Sequence, residues 1–337
     1  GSSLLLVPAG RLYDRFGARV VGTVSCVVLG GVLLGLSRCD VLARRLADLV
    51  GPEHAAAAAF ATILVGFFAL RFSGQGVLTL VSRNMIMKWF DRRRGTASGV
   101  SGVFVALGFS AAPLFLKLLV DAFGWRGTWA TLAGLIGIGH AAVALAFWRD
   151  NPEECGLVPD GTPPDPDPSG TAERPVARNF TLGDAVRRYP FWVFTLALSL
   201  FGMYMTGLTF HIVSVFSSAG MTRLQAVSIF LPASVVAVLV HLSAGWLSDR
   251  MALNRLLIVM LAAMGVAAMG LSVLAPGLPV LMIIIGNGVG GGLFGLLSAV
   301  TWAKFFGRRH LGAISGLHMS VGVLFSAVGP VLFSQSL

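Results

Sequence analysis

Gly10-Arg-Leu-Tyr-Asp-Arg-Phe-Gly-Ala-Arg19 is a short, charged, glycine-punctuated stretch set between two apolar segments. Its pattern returns as Gly245-Trp-Leu-Ser-Asp-Arg250, again flanked by long apolar runs. A second echo pairs Lys88-Trp-Phe-Asp-Arg-Arg-Arg-Gly-Thr-Ala-Ser-Gly99 with Lys304-Phe-Phe-Gly-Arg-Arg-His-Leu-Gly-Ala-Ile-Ser-Gly316. Two motifs recurring in the same order indicate two copies of one structural unit.

The composition states what the apolar runs are for. The chain is 55% hydrophobic and 12% charged, with a mean hydropathy of +0.81, whereas soluble domains carry about 25% charged residues. Apolar stretches of roughly 20 residues, the length that crosses a bilayer, recur from end to end. The chain reads as an all-α, multi-pass membrane protein. A net charge of +10 would suit nucleic acid, but the basic residues sit in short loops between spans, where topology signals belong. Nucleic acid is therefore excluded as a partner, and the lipid bilayer is the expected one. Cys26, Cys39 and Cys155 form no spaced cluster, so no metal site, disulfide framework or cofactor is expected.

The stretch Gly10 to Gly17 resembles the loop G-x-L-x-D-R-x-G of the major facilitator superfamily of secondary transporters, found between the second and third helices of each half. Gly10, Leu12, Asp14, Arg15 and Gly17 match it, and Gly245, Leu247, Asp249 and Arg250 match it in part, with Ala252 where the last glycine would stand. The resemblance covers nearly the whole chain. It implies the major facilitator fold: two pseudo-symmetric helical bundles, about ten of the usual twelve transmembrane helices, the first one partial, with a first helix upstream and a twelfth downstream.

In family order, the expected spans are a partial second helix (1–9), then 20–36, 55–81, 95–120 and 127–148, followed after a linker by 191–214, 225–247, 256–274, 278–303 and 311–334. The expected bundles are 1–149 and 190–337. Residues 37–54 read as a polar connection and 82–94 as a basic loop. Residues 151–178, with seven prolines, cannot bury a core and read as a flexible linker. Residues 180–189 read as a short amphipathic helix. The run Pro152 to Gly161 resembles the start of this linker in the monocarboxylate and oxalate/formate-like branch. Twelve Lys and Arg in one set of loops against six in the other place the motif loops and the linker in the cytoplasm. A bacterial inner (plasma) membrane is the expected location, and a monomer the expected state.

Few residues could carry chemistry. By resemblance, Asp14 and Asp249 meet the starts of helices from the opposite half, near Leu311 and Gly95. Gly10, Asp14, Arg15, Gly17, Gly245, Asp249 and Arg250 then form a conformational gate. A carboxylate is stabilised by the free N–H groups of a helix N-terminus. The plainer alternative is an Asp that caps its own next helix.

Arg71 falls near the middle of a span, where a charge is costly unless paired or wet. It is either a solute-binding cation, together with Gln75, or a structural Arg bonded to carbonyls. No Asp or Glu lies within any complete span. His140, His211, His241 and His318 lie in apolar segments, with His211 the foremost candidate for a solute or proton role. Asn287 contacts solute or bonds across helices. It lies in the run Gly286 to Gly295, which imitates a dinucleotide fingerprint but follows no soluble strand. No nucleophile or acid–base constellation emerges, so no catalysis is expected. Pro113 comes too late to complete the family's antiporter motif.

The expected activity is alternating-access transport of a small organic anion of the monocarboxylate type, coupled to protons. The alternatives are efflux of amphipathic drugs or metabolites, and a non-transporting receptor or inactive truncated product.

Overall fold

The computed structural model describes residues 5–161 and 179–336, and among them every regular element is a helix. We number them α1 (Leu6–Ser37), α2 (Cys39–Val50), α3 (Pro52–Trp89), α4 (Arg94–Phe147), α5 (Leu182–Val186), α6 (Tyr189–Ser218), α7 (Arg223–Ser248), α8 (Leu253–Ser272), α9 (Leu278–Phe306) and α10 (Leu311–Gln335). Eight of them, all but α2 and α5, are long and apolar enough to cross a membrane.

Two of the eight are broken, which accounts for the expected ten runs. Gly17 (φ +76°) interrupts α1 and Gly124 (φ +66°) interrupts α4. Only glycine adopts that left-handed backbone at little cost, so each break separates two runs expected as separate helices.

Three boundaries differ from expectation. The connection 37–54 contains helix α2, whose polar character reflects surface amphipathicity and not a loop. The basic loop begins later than residue 82, because α3 continues to Trp89 and leaves only Phe90 to Arg93 as connection. The amphipathic segment forms helix only over Leu182–Val186, opened by a reciprocal capping box between Thr181 and Asp184. The flexible character expected for 162–178 concerns residues outside those described.

The bundles meet along two like-built seams: α1 packs on α10, and α4 on α7. Glycine makes both possible. A Cβ on Gly10 would collide with the carbonyl of Gly312, and a Cβ on Gly95 with the carbonyl of Gly245 and the hydroxyl of Ser248. Backbones approach this closely only where side chains are absent, the usual device of helices packed in lipid. Elsewhere α6, α8, α9 and α10 bury an aromatic-rich core that includes Phe191, Leu296 and Trp302. Large apolar side chains such as Phe104, Phe109 and Phe147 point outward. In a soluble protein that would be an aggregation hazard; facing lipid it costs nothing.

Candidate functional site

The glycines of the two seams set up the carboxylates. Gly10 and Asp14 are four residues apart, as are Gly245 and Asp249, so each pair lies on one helix face. With Gly10 against Gly312, Asp14 reaches the open N-terminus of α10. Its Oδ1 accepts from the Gly312 amide at 2.7 Å and its Oδ2 from the Ala313 amide at 2.8 Å. Asp249 does the same at the start of α4. It accepts from the amides of Gly95 (2.7 Å) and Thr96 (2.9 Å) and from the Thr96 hydroxyl (2.7 Å). These are orphan helix donors that a carboxylate satisfies while also meeting the positive end of the helix dipole.

Around Asp14 the contacts extend. Asp150 accepts from the amide of Ala18 at 3.1 Å, just past the break at Gly17, and pairs with Lys88 at 2.5 Å. Arg308, from the other half, donates to the Lys88 carbonyl (2.7 Å) and pairs with Glu153 (2.8 Å). The first part of the linker docks here too: Asp160 accepts from the amides of Asp91, Arg92 and Arg93 at 3.1, 2.8 and 3.3 Å. Arg15 and Arg250 take no part in these bonds to the opposite half. Arg15 lies over the Phe16 ring (5.2 Å) and Arg250 over the Trp246 ring (3.9 Å).

Deeper in the molecule, a cavity of about 220 Å³ lies between the bundles. From α3 it receives Arg71, Gln75, Thr79 and Arg83; from α9, Ser298; from α10, His318. Arg71 and Gln75 also border an adjoining groove with Leu29 and Phe68. Neither Arg71 nor Arg83 has an ion-pair or hydrogen-bond partner among the described residues. Among the described residues, no acid lines the cavity. The Ser298 hydroxyl and His318 Nδ1 are buried without partners among the described residues, although these residues are only 7% and 5% exposed. The His318 ring lies 4.5 Å from that of Trp302. A polar wall with unused donors, two of them cationic, can take an anion by charge-assisted hydrogen bonds.

Two of the four residues expected to bind solute, Arg71 and Gln75, thus share the cavity. The structure does not bring His211 or Asn287 to it. His211 Nε2 lies 3.0 Å from the Pro330 carbonyl, with its ring stacked on Phe333. Asn287 accepts from the Tyr204 hydroxyl at 3.0 Å, a bond between α9 and α6. Arg83, Ser298 and His318 join the site instead. Arg83 was hidden inside the supposed basic loop. The signal that could have found it is the absence of any Gly, Pro or Asp between Leu78 and Trp89, which lets the helix run on.

The sequence profile of the Major Facilitator Superfamily matches residues 1–330. Mouse monocarboxylate transporter 11 is 29% identical over 275 residues, covering 78% of this chain and 53% of that protein. The probable nitrate/nitrite transporter NarK2 of Mycobacterium tuberculosis is 24% identical over 339 residues, covering 98% of this chain and 75% of that one. The chain spans about half the length of the mouse relative. Among solved structures, the E. coli fucose:proton symporter FucP superposes with a TM-score of 0.68 at 12% identity, over 98% of this chain and 80% of its own. With its paired bundles, repeated glycine–carboxylate seams and profile match over nearly its whole length, the chain belongs to the major facilitator superfamily.

Proposed function

We propose that this chain is a secondary transporter that moves a small organic anion of the monocarboxylate type by alternating access, coupled to protons. The observation that carries the reading is the pair of guanidinium groups, Arg71 and Arg83, that share one inter-bundle cavity and have neither a partner nor an acid in the cavity lining among the described residues. A cation in a membrane interior needs an anion, water or carbonyl oxygens, and an anionic solute supplies the first. That the named relatives are a monocarboxylate and a nitrate/nitrite transporter agrees with an anion. Arg71 and Gln75 are the solute contacts within this reading.

The test is uptake by proteoliposomes holding the full chain. Saturable uptake of labelled lactate should occur, competed by other small carboxylates and not by neutral sugars. Competition by fucose but not by carboxylates, or preference for a hydrophobic cation, would sink the anion reading and favour efflux of amphipathic compounds.

Within the same reading, the Asp14 and Asp249 contacts are the gate that closes the basic-loop end and parts when the bundles rock. That end faces the cytoplasm. Cys155 is exposed at the start of the linker, whereas Cys26 is buried. In a form carrying Cys39→Ser, a membrane-impermeant maleimide should leave Cys155 unmodified in intact cells and modify it after lysis. Modification in intact cells would invert the orientation.

A further inference from the structure

His241 stands in the last third of α7, on the face that meets α4 of the other bundle. Its Nε2 lies 3.1 Å from the carbonyl oxygen of Ser98 on α4, and its Nδ1 lies 3.0 Å from the carbonyl oxygen of Gly292 on α9. Both partners are backbone carbonyls, which only accept. A neutral imidazole carries one N–H, so either tautomer can bond one of these oxygens and must turn a lone pair toward the other. Only the doubly protonated ring donates to both.

The ring is also held in a built slot. A Cβ on Gly102 of α4 would collide with it, and one on Gly295 of α9 would sit 3.0 Å from Cε1 and Nδ1. Glycines on two different helices therefore leave room for this one side chain. The same approach continues along the seam, with Gly99 against the backbone of His241 and Leu242 and Gly95 against Gly245.

We propose that His241 is a proton-binding site, charged in this conformation, that ties α4 of one bundle to α7 and α9 of the other. Loss of the proton leaves one carbonyl facing a lone pair and loosens the seam. The proposal deepens the proton-coupled reading above and rests on it: the coupling ion binds at the moving interface and not in the solute cavity. Binding the proton favours the form in which Asp249, eight residues on at the end of α7, holds the start of α4.

Other charged groups on the packed helices are committed elsewhere. On α4, Arg94 donates to the carbonyls of Met87 and Ala303 and pairs with Asp91. On α9, Lys304 donates to the Ser248 carbonyl. Just past the end of α7, Asp249 is bonded to Gly95 and Thr96, and Arg250 lies over Trp246. Arg255 stands at the start of α8. His241 has the two carbonyls as its hydrogen-bond partners.

Three readouts test this on the full chain in nanodiscs or liposomes. First, ¹⁵N-histidine NMR, with the resonance assigned by its loss in His241→Gln, should show both ring nitrogens protonated at pH 6. A singly protonated ring from pH 5 to 8.5 overturns the proposal, and this arm needs only the wild-type protein to fold. Second, nitroxides replacing Arg92 and Ala252, on either side of the seam, should report an open population that rises about tenfold between pH 5.5 and 8.5. In His241→Gln that population should be independent of pH; an equal pH response in the variant overturns the proposal by assigning it to another group, such as His310 or His318. Third, His241→Gln should lose about tenfold in lactate accumulation driven by a pH gradient, and undiminished accumulation counts against it. The first two arms use no solute. If lactate proves not to be carried, the anion reading falls while these two still decide the role of His241.

Discussion

Arg71→Gln is expected to lower lactate uptake about a hundredfold, with the protein still folded and membrane-inserted. The side chain lines the inter-bundle cavity with no partner among the described residues, so the fold gains no bond by keeping its charge. A charge at mid-membrane costs about 2.5–3.5 kcal/mol on insertion scales. Removing it should therefore leave stability unchanged or raise it. For a bound carboxylate the balance is reversed. Hydrogen bonds to charged groups contribute about 1.5–3 kcal/mol each, and a guanidinium can offer two at once in a planar fork. Losing the fork and the charge together corresponds to about two orders of magnitude in affinity. Arg71→Lys separates the two effects, because it keeps a point charge without the fork, and should fall in between. The measurement is initial-rate uptake across a concentration series, with thermal melting as the control for folding. Normal transport by both variants would make Arg71 structural.

Gly10→Val should open the basic-loop end. The new Cβ would occupy the position of the Gly312 carbonyl, a backbone atom that cannot rotate away, and overpacking of this kind costs about 1–3 kcal/mol. Pushing α1 off α10 also withdraws Asp14 from the amides of Gly312 and Ala313. The combined shift should change the closed-to-open ratio by about ten- to a hundredfold, since each 1.4 kcal/mol is about tenfold. Asp14→Asn is the milder companion. It keeps an acceptor oxygen but loses a charge–dipole interaction of about 0.3–1 kcal/mol, or about 2 when partly buried, for a several-fold change. Nitroxides at Arg15 and Arg309, which flank this seam, read both. Gly31→Ala, where an added Cβ meets nothing within 4 Å, is the control and should leave the distances as in the wild type. An unchanged distribution in Gly10→Val would show that the seam does not hold this end shut.

The cavity and the seams were legible in the sequence to different degrees. A fold of two repeated bundles could be read from Gly10, Asp14, Gly245 and Asp249, because a glycine and a carboxylate four residues apart leave an unmistakable trace between apolar runs. Hydropathy placed the apolar middle of each span, since a bilayer demands a similar length of apolar helix from each, but not the polar end of α3, which runs on to Trp89. The pairing of Asp14 with α10 and Asp249 with α4 was expected from resemblance, and the geometry supplies its cause in the glycine contacts.

What one chain's sequence could not give was the phase of its helices and the neighbours that phase selects. Arg71 and Arg83 are twelve residues apart, and on an ideal helix of 3.6 residues per turn they would point about 120° apart. The stretch Arg71–Leu78 instead adopts wider π-type turns, which take in about one extra residue and bring Arg83 back near the face of Arg71. No residue pattern announces that widening. In the same way, four histidines in apolar helices looked alike as letters, with His211 foremost among them. Tertiary packing distinguishes them: His140 edge-on to the Trp148 ring, His211 against a carbonyl near Phe333, His318 with an unused nitrogen in the cavity wall, and His241 between two carbonyls from two other helices. Periodicity fixes which residues share a helix face only while the helix stays regular, and what a face meets depends on partners hundreds of residues away.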